Sequence, residues 1–179
     1  ARVVTRGGDG GETAIGRGVR VSKAAARVEA YGTVDEASAT IGVLRAHLAD
    51  RPEYDRSLAR IQGDLFDIGA DLHMPGEAGA ALRVGDAPLA RLEAYQAEMD
   101  SGLPPLDHYI RPGGAPAVAH AHLARTVTRR AERRVVALSR EEEVNPAVLR
   151  YLNRLSDYLF VLSRRLDDSG HEDQWQAGG

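Results

Sequence analysis

The chain of 179 residues contains no cysteine and only one lysine, Lys23. Without cysteine it has no disulfide, no thiolate metal site and no cysteine nucleophile. Aromatic residues make up only 5% of the chain, and no apolar run approaches the ~20 residues that span a bilayer. No charged and then apolar leader opens the sequence, so we expect no secretory signal. These absences predict a soluble, cytoplasmic protein that has no membrane partner.

The composition is that of one globular domain, with 43% hydrophobic and 27% charged residues. The formal net charge is −3, which disfavours a general nucleic-acid binder because such a protein needs a basic surface. We expect a single domain over 1–179. It divides into a glycine-rich arm over 1–30, a helical bundle over 31–170 and a flexible tail over 171–179.

Five segments space their apolar residues by three and four positions, which is typical of amphipathic helices. Thr33 and Glu36 form a capping-box pattern, so the first helix is predicted to begin at Thr33. The remaining helices are predicted over 53–74, from Asp86, over 116–139 and from Asn145-Pro146. Residues 76–85 and 103–114 are predicted as loop or extended chain, and no segment is predicted as a strand. The pattern predicts an all-α, up-and-down five-helix bundle.

The fourth predicted helix carries a polar stripe beside its apolar one. The stripe consists of His122, Arg125, Arg129 and Glu132, and five arginines fall between positions 125 and 134. Guanidinium groups bind phosphate oxygens through paired hydrogen bonds, so the stripe is consistent with a phosphate site. A solvated helix face, paired with Glu132 and the acidic run 141–143, explains the same pattern. Both interpretations stay open from the residues alone.

Two further segments are candidates for ligand contact. The glycine-rich arm over 6–13 exposes backbone amides that can surround a phosphate, yet it is no P-loop, and a disordered terminus is the alternative. On the fifth predicted helix, a polar trio lies beside the leucine stripe: Asn153, Ser156 and Asp157. Either the trio forms a hydrogen-bond network between helices, or it contacts a ligand. No Glu-x-x-His or His-Glu-x-x-His pattern occurs, which argues against a di-metal or zinc centre.

Several blocks, in this order, resemble the ATP:cob(I)alamin adenosyltransferases of the propanediol-utilisation type. The blocks are Thr5–Thr13, Lys23 with Val28–Glu36, Leu65–Leu72, Arg111–Gly114 with Ala124–Arg133, and Tyr151–Phe160. The resemblance implies a ferritin-like five-helix bundle that assembles as a homotrimer with active sites between subunits. It also implies an enzyme, an alkyl-group transferase that moves the 5′-deoxyadenosyl group of ATP to cob(I)alamin and releases triphosphate. Mg²⁺ would accompany ATP through the phosphates, without a dedicated protein metal site.

The resemblance also assigns roles to individual residues. Asp35 and Arg125 match a salt bridge across the subunit interface near the corrinoid. Tyr109 stands where the family usually has a Phe that keeps the lower axial ligand off cobalt, and Arg111 stands where an aliphatic residue is usual. The positions matched to ATP binding, of which Arg129 also counts as catalytic, are Thr5, Arg6, Gly7, Gly8, Thr13, Lys23, Arg129, Arg130, Glu132, Arg133 and Asn153.

Partners follow from the same resemblance: ATP, cob(II)alamin and cob(I)alamin, a cobalamin reductase, and an adenosylcobalamin-dependent mutase, with no nucleic acid. The alternative is a non-catalytic helical bundle that binds nucleotide or an acidic partner through its arginine-rich helix. A light-sensitive cobalt–carbon product, formed from ATP and reduced cobalamin, separates the two interpretations.

Overall fold

The computed structural model of the chain describes residues 2–76 and 82–179 and is mostly helical. Within these residues, five α-helices confirm the predicted all-α architecture: α1 Ala26–Arg45, α2 Pro52–His73, α3 Ala87–Asp100, α4 Pro116–Ser139 and α5 Pro146–Leu166. α1 packs against α2 and α4, and α5 packs against α3 and α4. The described part of the chain holds no helix both long and apolar enough to cross a bilayer. Of the predicted loop 76–85, residues 77–81 lie outside the described residues.

Apolar residues of all five helices form the core, and part of it lies where the apolar stripes of α4 and α5 meet. On α5 the leucines of the predicted stripe, such as Leu152 and Leu159, are fully buried, and α4 faces them with small buried residues such as Ala124 and Ala131. Each buried leucine contributes about 1.5–3 kcal/mol to stability. Small residues on α4 allow the two helices to approach closely, which brings polar residues at the margins of both helices near one another.

The start of α5 is fixed by Asn145, as the sequence predicts. Its side-chain oxygen accepts a hydrogen bond from the Ala147 amide at 3.1 Å, and Pro146 occupies the first helical position. The side-chain amide of Asn145 also donates to Asp71 Oδ2 and to the Val84 carbonyl, both at 2.8 Å. α5 therefore begins at a fixed place against the end of α2.

The predicted start of the first helix at Thr33 is wrong, because α1 begins seven residues earlier at Ala26. Thr33 is a buried residue within α1, and its hydroxyl donates to the Glu29 carbonyl one turn earlier at 2.6 Å. The additional turns are held by Arg27, which is 5% exposed and donates to the Leu72 carbonyl at 2.8 Å and to Glu142 at 2.6 Å. These long-range contacts extend α1 beyond the local capping pattern.

The arm also contains two strands, which the sequence does not predict. β1 Glu12–Ala14 pairs antiparallel with β2 Arg20–Ser22. The intervening 3₁₀ turn includes Arg17 and Gly18 at φ +63° and +71°. Strands of three residues are too short to show an alternating pattern. Gly16 at this turn lies against the bundle so closely that a β-carbon there would be 2.6 Å from Met74 Sδ.

The segment between α3 and α4 contains no helix, as predicted. Ile110 in this segment forms an isolated antiparallel bridge with Gln174, so part of the C-terminal tail predicted as flexible lies against the bundle. The pairing connects residues more than sixty positions apart.

Candidate functional site

An open groove with a volume of about 450 Å³ runs along α4 and α5. Its lining residues are Arg129, Glu132, Arg133, Val136, Ala137, Arg140 and Asn153. Four predicted ligand residues therefore line one groove. Three of them come from one side of α4, where they are three and four positions apart, and the fourth is Asn153 of α5. Arg140, which caps the end of α4, completes the groove and is absent from the predicted set.

The arginines of this groove differ from their neighbours in having no salt bridge to a carboxylate of the described residues. Across residues 2–76 and 82–179, no salt bridge involves Arg129, Arg133 or Arg140. Arg130 instead pairs with Glu36, and Arg134 lies 3.4 Å from Glu29. The predicted acidic run does not neutralise the groove either, since its member Glu142 binds Arg27.

Three guanidinium groups without an ion pair among the described residues, set against one groove carboxylate, create a region of positive potential in a chain of net negative charge. Such a cluster favours a multiply charged anion, because each guanidinium offers a fork of donors that fits phosphate oxygens. The arrangement argues against the simple solvated-face interpretation of this helix.

Glu132 is the single acidic residue that lines the groove. Burial raises the pKa of its carboxyl, Asp157 raises it further, and Arg129 and Arg133 act in the opposite direction. A partly desolvated carboxylate in this position can accept hydrogen bonds from hydroxyl or amino groups of a bound molecule.

The polar trio on α5 makes its contacts within the helix. Ser156 donates to the Asn153 carbonyl at 2.9 Å, and Asp157 accepts from Arg154 at 3.1 Å. No hydrogen bond in the described part of the chain links these three side chains to α4. Because Asn153 instead lines the groove, the ligand-contact interpretation is the better of the two for this residue.

The predicted arm residues lie together in a tight turn. The Lys23 amide donates to the Gly11 carbonyl at 2.9 Å, and the Gly11 amide donates to the Gly8 carbonyl at 3.1 Å. The Lys23 side chain lies directly over Gly8, where a β-carbon would be 2.9 Å from Lys23 Nζ. The only lysine of the chain is thus held beside the glycine loop.

The remaining arm residues support the same turn. The Gly7 amide donates to Thr5 Oγ1 at 3.4 Å, the Gly7 carbonyl accepts from Arg20 at 2.8 Å, and Arg6 adopts a left-handed φ of +61°. Thr13 pairs with Val21 in the hairpin. Among residues 2–76 and 82–179, no hydrogen bond or ion pair joins the arm to the groove.

Asp35 and Arg125 form no ion pair with each other within the described residues. Asp35 is exposed on α1, beside an apolar depression of about 510 Å³ between α1 and α2, where Phe66 is 71% exposed. Arg125 is half-buried on α4, and its Nε has no hydrogen-bond partner among the described residues. Burial, followed by the nearby charge of Arg129, lowers the pKa of Arg125.

Two other predicted residues lie outside the groove. Tyr109 is 78% exposed in the segment before α4, and its ring meets that of Trp175 edge to face at 6.0 Å. His122 is a buried residue of α4, and burial, together with the charge of Arg125, lowers its pKa. His122 thus does not share the groove with Arg129.

Comparison with known proteins shows to which family the chain belongs. The family model "Cobalamin adenosyltransferase" matches residues 3–166. A cobalamin adenosyltransferase of Cupriavidus metallidurans is 45% identical over 95% of this chain and 90% of its own length. A corrinoid adenosyltransferase of Bacillus subtilis is 43% identical over 91% of this chain and 85% of its own length.

Solved structures give the same result. A variant PduO-type ATP:corrinoid adenosyltransferase from Lactobacillus reuteri, complexed with cobalamin and ATP, superposes with a TM-score of 0.92. It is 34% identical, and the alignment covers 99% of this chain and 97% of that one. Family match, sequence identity and superposition agree over nearly the whole length, and the chain belongs to the cobalamin adenosyltransferase family.

Proposed function

We propose that this chain is an ATP:corrinoid adenosyltransferase, which transfers the 5′-deoxyadenosyl group of ATP to cob(I)alamin and releases triphosphate. The observation that carries the proposal is the groove of Arg129, Arg133 and Arg140, whose guanidinium groups have no carboxylate partner within the described residues. The groove occurs in a chain whose relatives are corrinoid adenosyltransferases. The alternative of a non-catalytic nucleotide binder has no comparable support from relatives.

The reaction is a displacement at a saturated carbon. The electron pair of cob(I)alamin forms the cobalt–carbon bond to C5′ as the bond from C5′ to the triphosphate oxygen breaks. Negative charge grows on the departing triphosphate, and Arg129, Arg133 and Arg140 are suited to stabilise it. No proton has to be removed from carbon, so no general base is required.

The arm supplies a second set of donors for the phosphates. Its turn is rich in glycine, and the ammonium group of Lys23 lies beside Gly8. We infer that Thr5, Arg6 and Thr13 line the same part of the nucleotide site. Glu132 offers hydrogen-bond acceptors, and Asn153 offers both a donor and an acceptor, for the uncharged part of ATP.

Mg²⁺ would be held mainly by the phosphates of ATP. Within residues 2–76 and 82–179, no group of three or more His, Cys, Asp or Glu is placed to hold a metal ion. The single groove carboxylate, Glu132, suits a cation that keeps most of its water and phosphate ligands. Bound in this way, Mg²⁺ would neutralise part of the charge on the leaving triphosphate.

The corrinoid side of the site requires a second subunit in this proposal. Asp35 and Arg125 are charged residues without partners in the described part of one chain, and an exposed Phe66 lies beside Asp35. A homotrimer in which Asp35 of one subunit meets Arg125 of the next would satisfy all three. Light scattering of the purified protein tests the trimer, and a monomeric active enzyme would refute it.

Tyr109 is assigned to the lower face of the corrinoid. An aromatic side chain there excludes water and the axial base, so that cob(II)alamin becomes four-coordinate and easier to reduce. A one-electron reductase must then supply cob(I)alamin, and a mutase that uses adenosylcobalamin would consume the product. Both partners, and a cytoplasmic location, stay predictions.

The decisive experiment mixes the purified chain with ATP, Mg²⁺ and chemically reduced cobalamin. The expected result is a light-sensitive cobalt–carbon product and one triphosphate for each corrinoid. Binding of ATP without any alkylated corrinoid would instead favour the non-catalytic alternative.

A further inference from the structure

The C-terminal tail forms backbone hydrogen bonds with the segment that carries Tyr109. The Arg111 amide donates to the Asp173 carbonyl at 2.7 Å, and the Trp175 amide donates to the Tyr109 carbonyl at 2.8 Å. Ile110 and Gln174 form the antiparallel bridge between these two hydrogen bonds. The tail thus pairs with the segment between α3 and α4 through one antiparallel bridge and the two hydrogen bonds that flank it.

Side chains strengthen this pairing on both sides of the bridge. Arg111 donates from Nε and Nη2 to Asp173 Oδ1 at 3.0 and 2.6 Å. The Trp175 ring meets the Tyr109 ring at 6.0 Å with an interplanar angle of 79°, which is a favourable edge-to-face geometry. Tyr109 and Arg111, at both of which this chain departs from the usual family pattern, therefore both contact the tail through their side chains.

The tail is also anchored to the bundle just before the bridge. Arg164 of α5, whose side chain is 6% exposed, donates to Glu172 Oε1 at 2.6 Å and to the Pro104 carbonyl at 2.9 Å. One buried guanidinium thus joins the helix, the tail and the segment between α3 and α4. The position of the bridge is set by the core and not by surface contacts alone.

We propose that Asp173 is a positioning residue for Tyr109. It acts through its ion pair with Arg111, and this ion pair also keeps Trp175 in place against the Tyr109 ring. This inference rests on the proposed function, in which Tyr109 faces the corrinoid. A ring that is 78% exposed on a segment without helix would otherwise sample several orientations. Fixing the ring before the corrinoid arrives removes that ordering cost from the binding step.

The test compares Asp173→Ala with Asp168→Ala as a matched control. Asp168, shortly after the end of α5, is also an exposed carboxylate in an ion pair, but its partner is Arg51 and not the segment with Tyr109. The tail is followed by the fluorescence of Trp175, the only tryptophan of the chain. The site is followed by the fraction of cob(II)alamin that becomes four-coordinate in the presence of ATP, measured by electron paramagnetic resonance.

Asp173→Ala is expected to shift the Trp175 emission to the red and to lower the four-coordinate fraction. A loss of about three- to fivefold corresponds to one exposed ion pair of up to about 1 kcal/mol. The dissociation constant of ATP should stay within about twofold of wild type, whereas a general loss of structure would weaken ATP binding equally. Asp173→Asn keeps an acceptor of the same size and should restore part of the fraction. Asp168→Ala should match wild type in all three measurements.

A double-mutant cycle with Tyr109→Ala decides whether the tail acts through that ring. Asp173→Ala should cause no further loss of four-coordinate cob(II)alamin in the Tyr109→Ala background. Independent losses, or an Asp173→Ala protein that keeps the wild-type fraction, would overturn the positioning role. If wild type itself forms no four-coordinate species with ATP, the proposed corrinoid role of Tyr109 fails and the inference falls with it.

Discussion

Replacement of Arg129 by alanine tests the groove most directly. Arg129 lies on α4 among the groove residues and has no salt bridge within the described part of the chain. Its loss should therefore remove a ligand contact and break no salt bridge of the described residues in the free protein. We expect lower transfer activity with an unchanged oligomeric state.

The size of the effect follows from the donors that are removed. A hydrogen bond to a charged group contributes about 1.5–3 kcal/mol, and about 1.4 kcal/mol changes an equilibrium or rate tenfold. Arg129→Ala should accordingly lower kcat/KM for ATP by about 10- to 150-fold. The thermal midpoint should stay the same or rise slightly, because one of several like charges on α4 is gone.

Arg134→Ala is the matched control, since Arg134 is on the same helix but pairs with Glu29 outside the groove. It should leave kcat/KM for ATP within about twofold of wild type and cost at most about 1 kcal/mol of stability, as exposed ion pairs do. The assay is initial-rate formation of the alkylated corrinoid at saturating cob(I)alamin. Equal kcat/KM for the two variants would refute the assignment of the groove to the phosphates.

Three further predictions concern the other residues of the site. Asp35→Asn should raise KM for the corrinoid about tenfold and leave KM for ATP unchanged, as loss of one interfacial ion pair of ~1.4 kcal/mol implies; equal increases in both would contradict the interface role. Tyr109→Phe keeps the ring and should hold or raise kcat, and a steady-state assay that finds complete inactivation would show that the hydroxyl is essential. Burial raises the pKa of Glu132 in the folded chain. The ionised carboxylate therefore lowers the free energy of unfolding above that pKa, and this loss vanishes once the carboxyl is protonated in both the folded and the unfolded chain. Glu132→Gln should then be more stable than wild type at pH 8, with the difference shrinking toward about pH 4; urea titrations showing a difference that grows in acid would argue against it.

Much of the bundle follows from local pattern. The leucines of α5 and the small residues of α4 are buried as their spacing predicts, and Asn145 with Pro146 starts α5 as expected. The start of α1 is different, because Arg27 is held by partners 45 and 115 positions away. Local capping rules do not include such contacts, so Thr33 misleads. The β1–β2 hairpin escapes prediction because each strand is only three residues long.

The candidate site is predictable where helical spacing determines it. Arg129, Glu132 and Arg133 lie on one side of α4 because they are three and four residues apart, and Asn153 meets them because α5 packs on α4. Arg140 is missed because it lies at the cap, where the periodic pattern ends. The partner of Arg130 is also invisible in the sequence, since Glu36 belongs to another helix. The position of Trp175 depends on the bridge between Ile110 and Gln174. These residues are separated in sequence by α4 and α5, so no local sequence rule predicts their pairing.

The unpaired guanidinium groups have a consequence for the lifetime of the folded protein. An empty groove keeps like charges close together, whereas a bound polyphosphate relieves that repulsion only in the native chain. Nucleotide at one hundred times its dissociation constant would add about 2.7 kcal/mol to the free energy of unfolding. In a cell depleted of ATP the chain would unfold more often and meet proteases more readily, so energy supply would govern the amount of protein as well as its turnover rate.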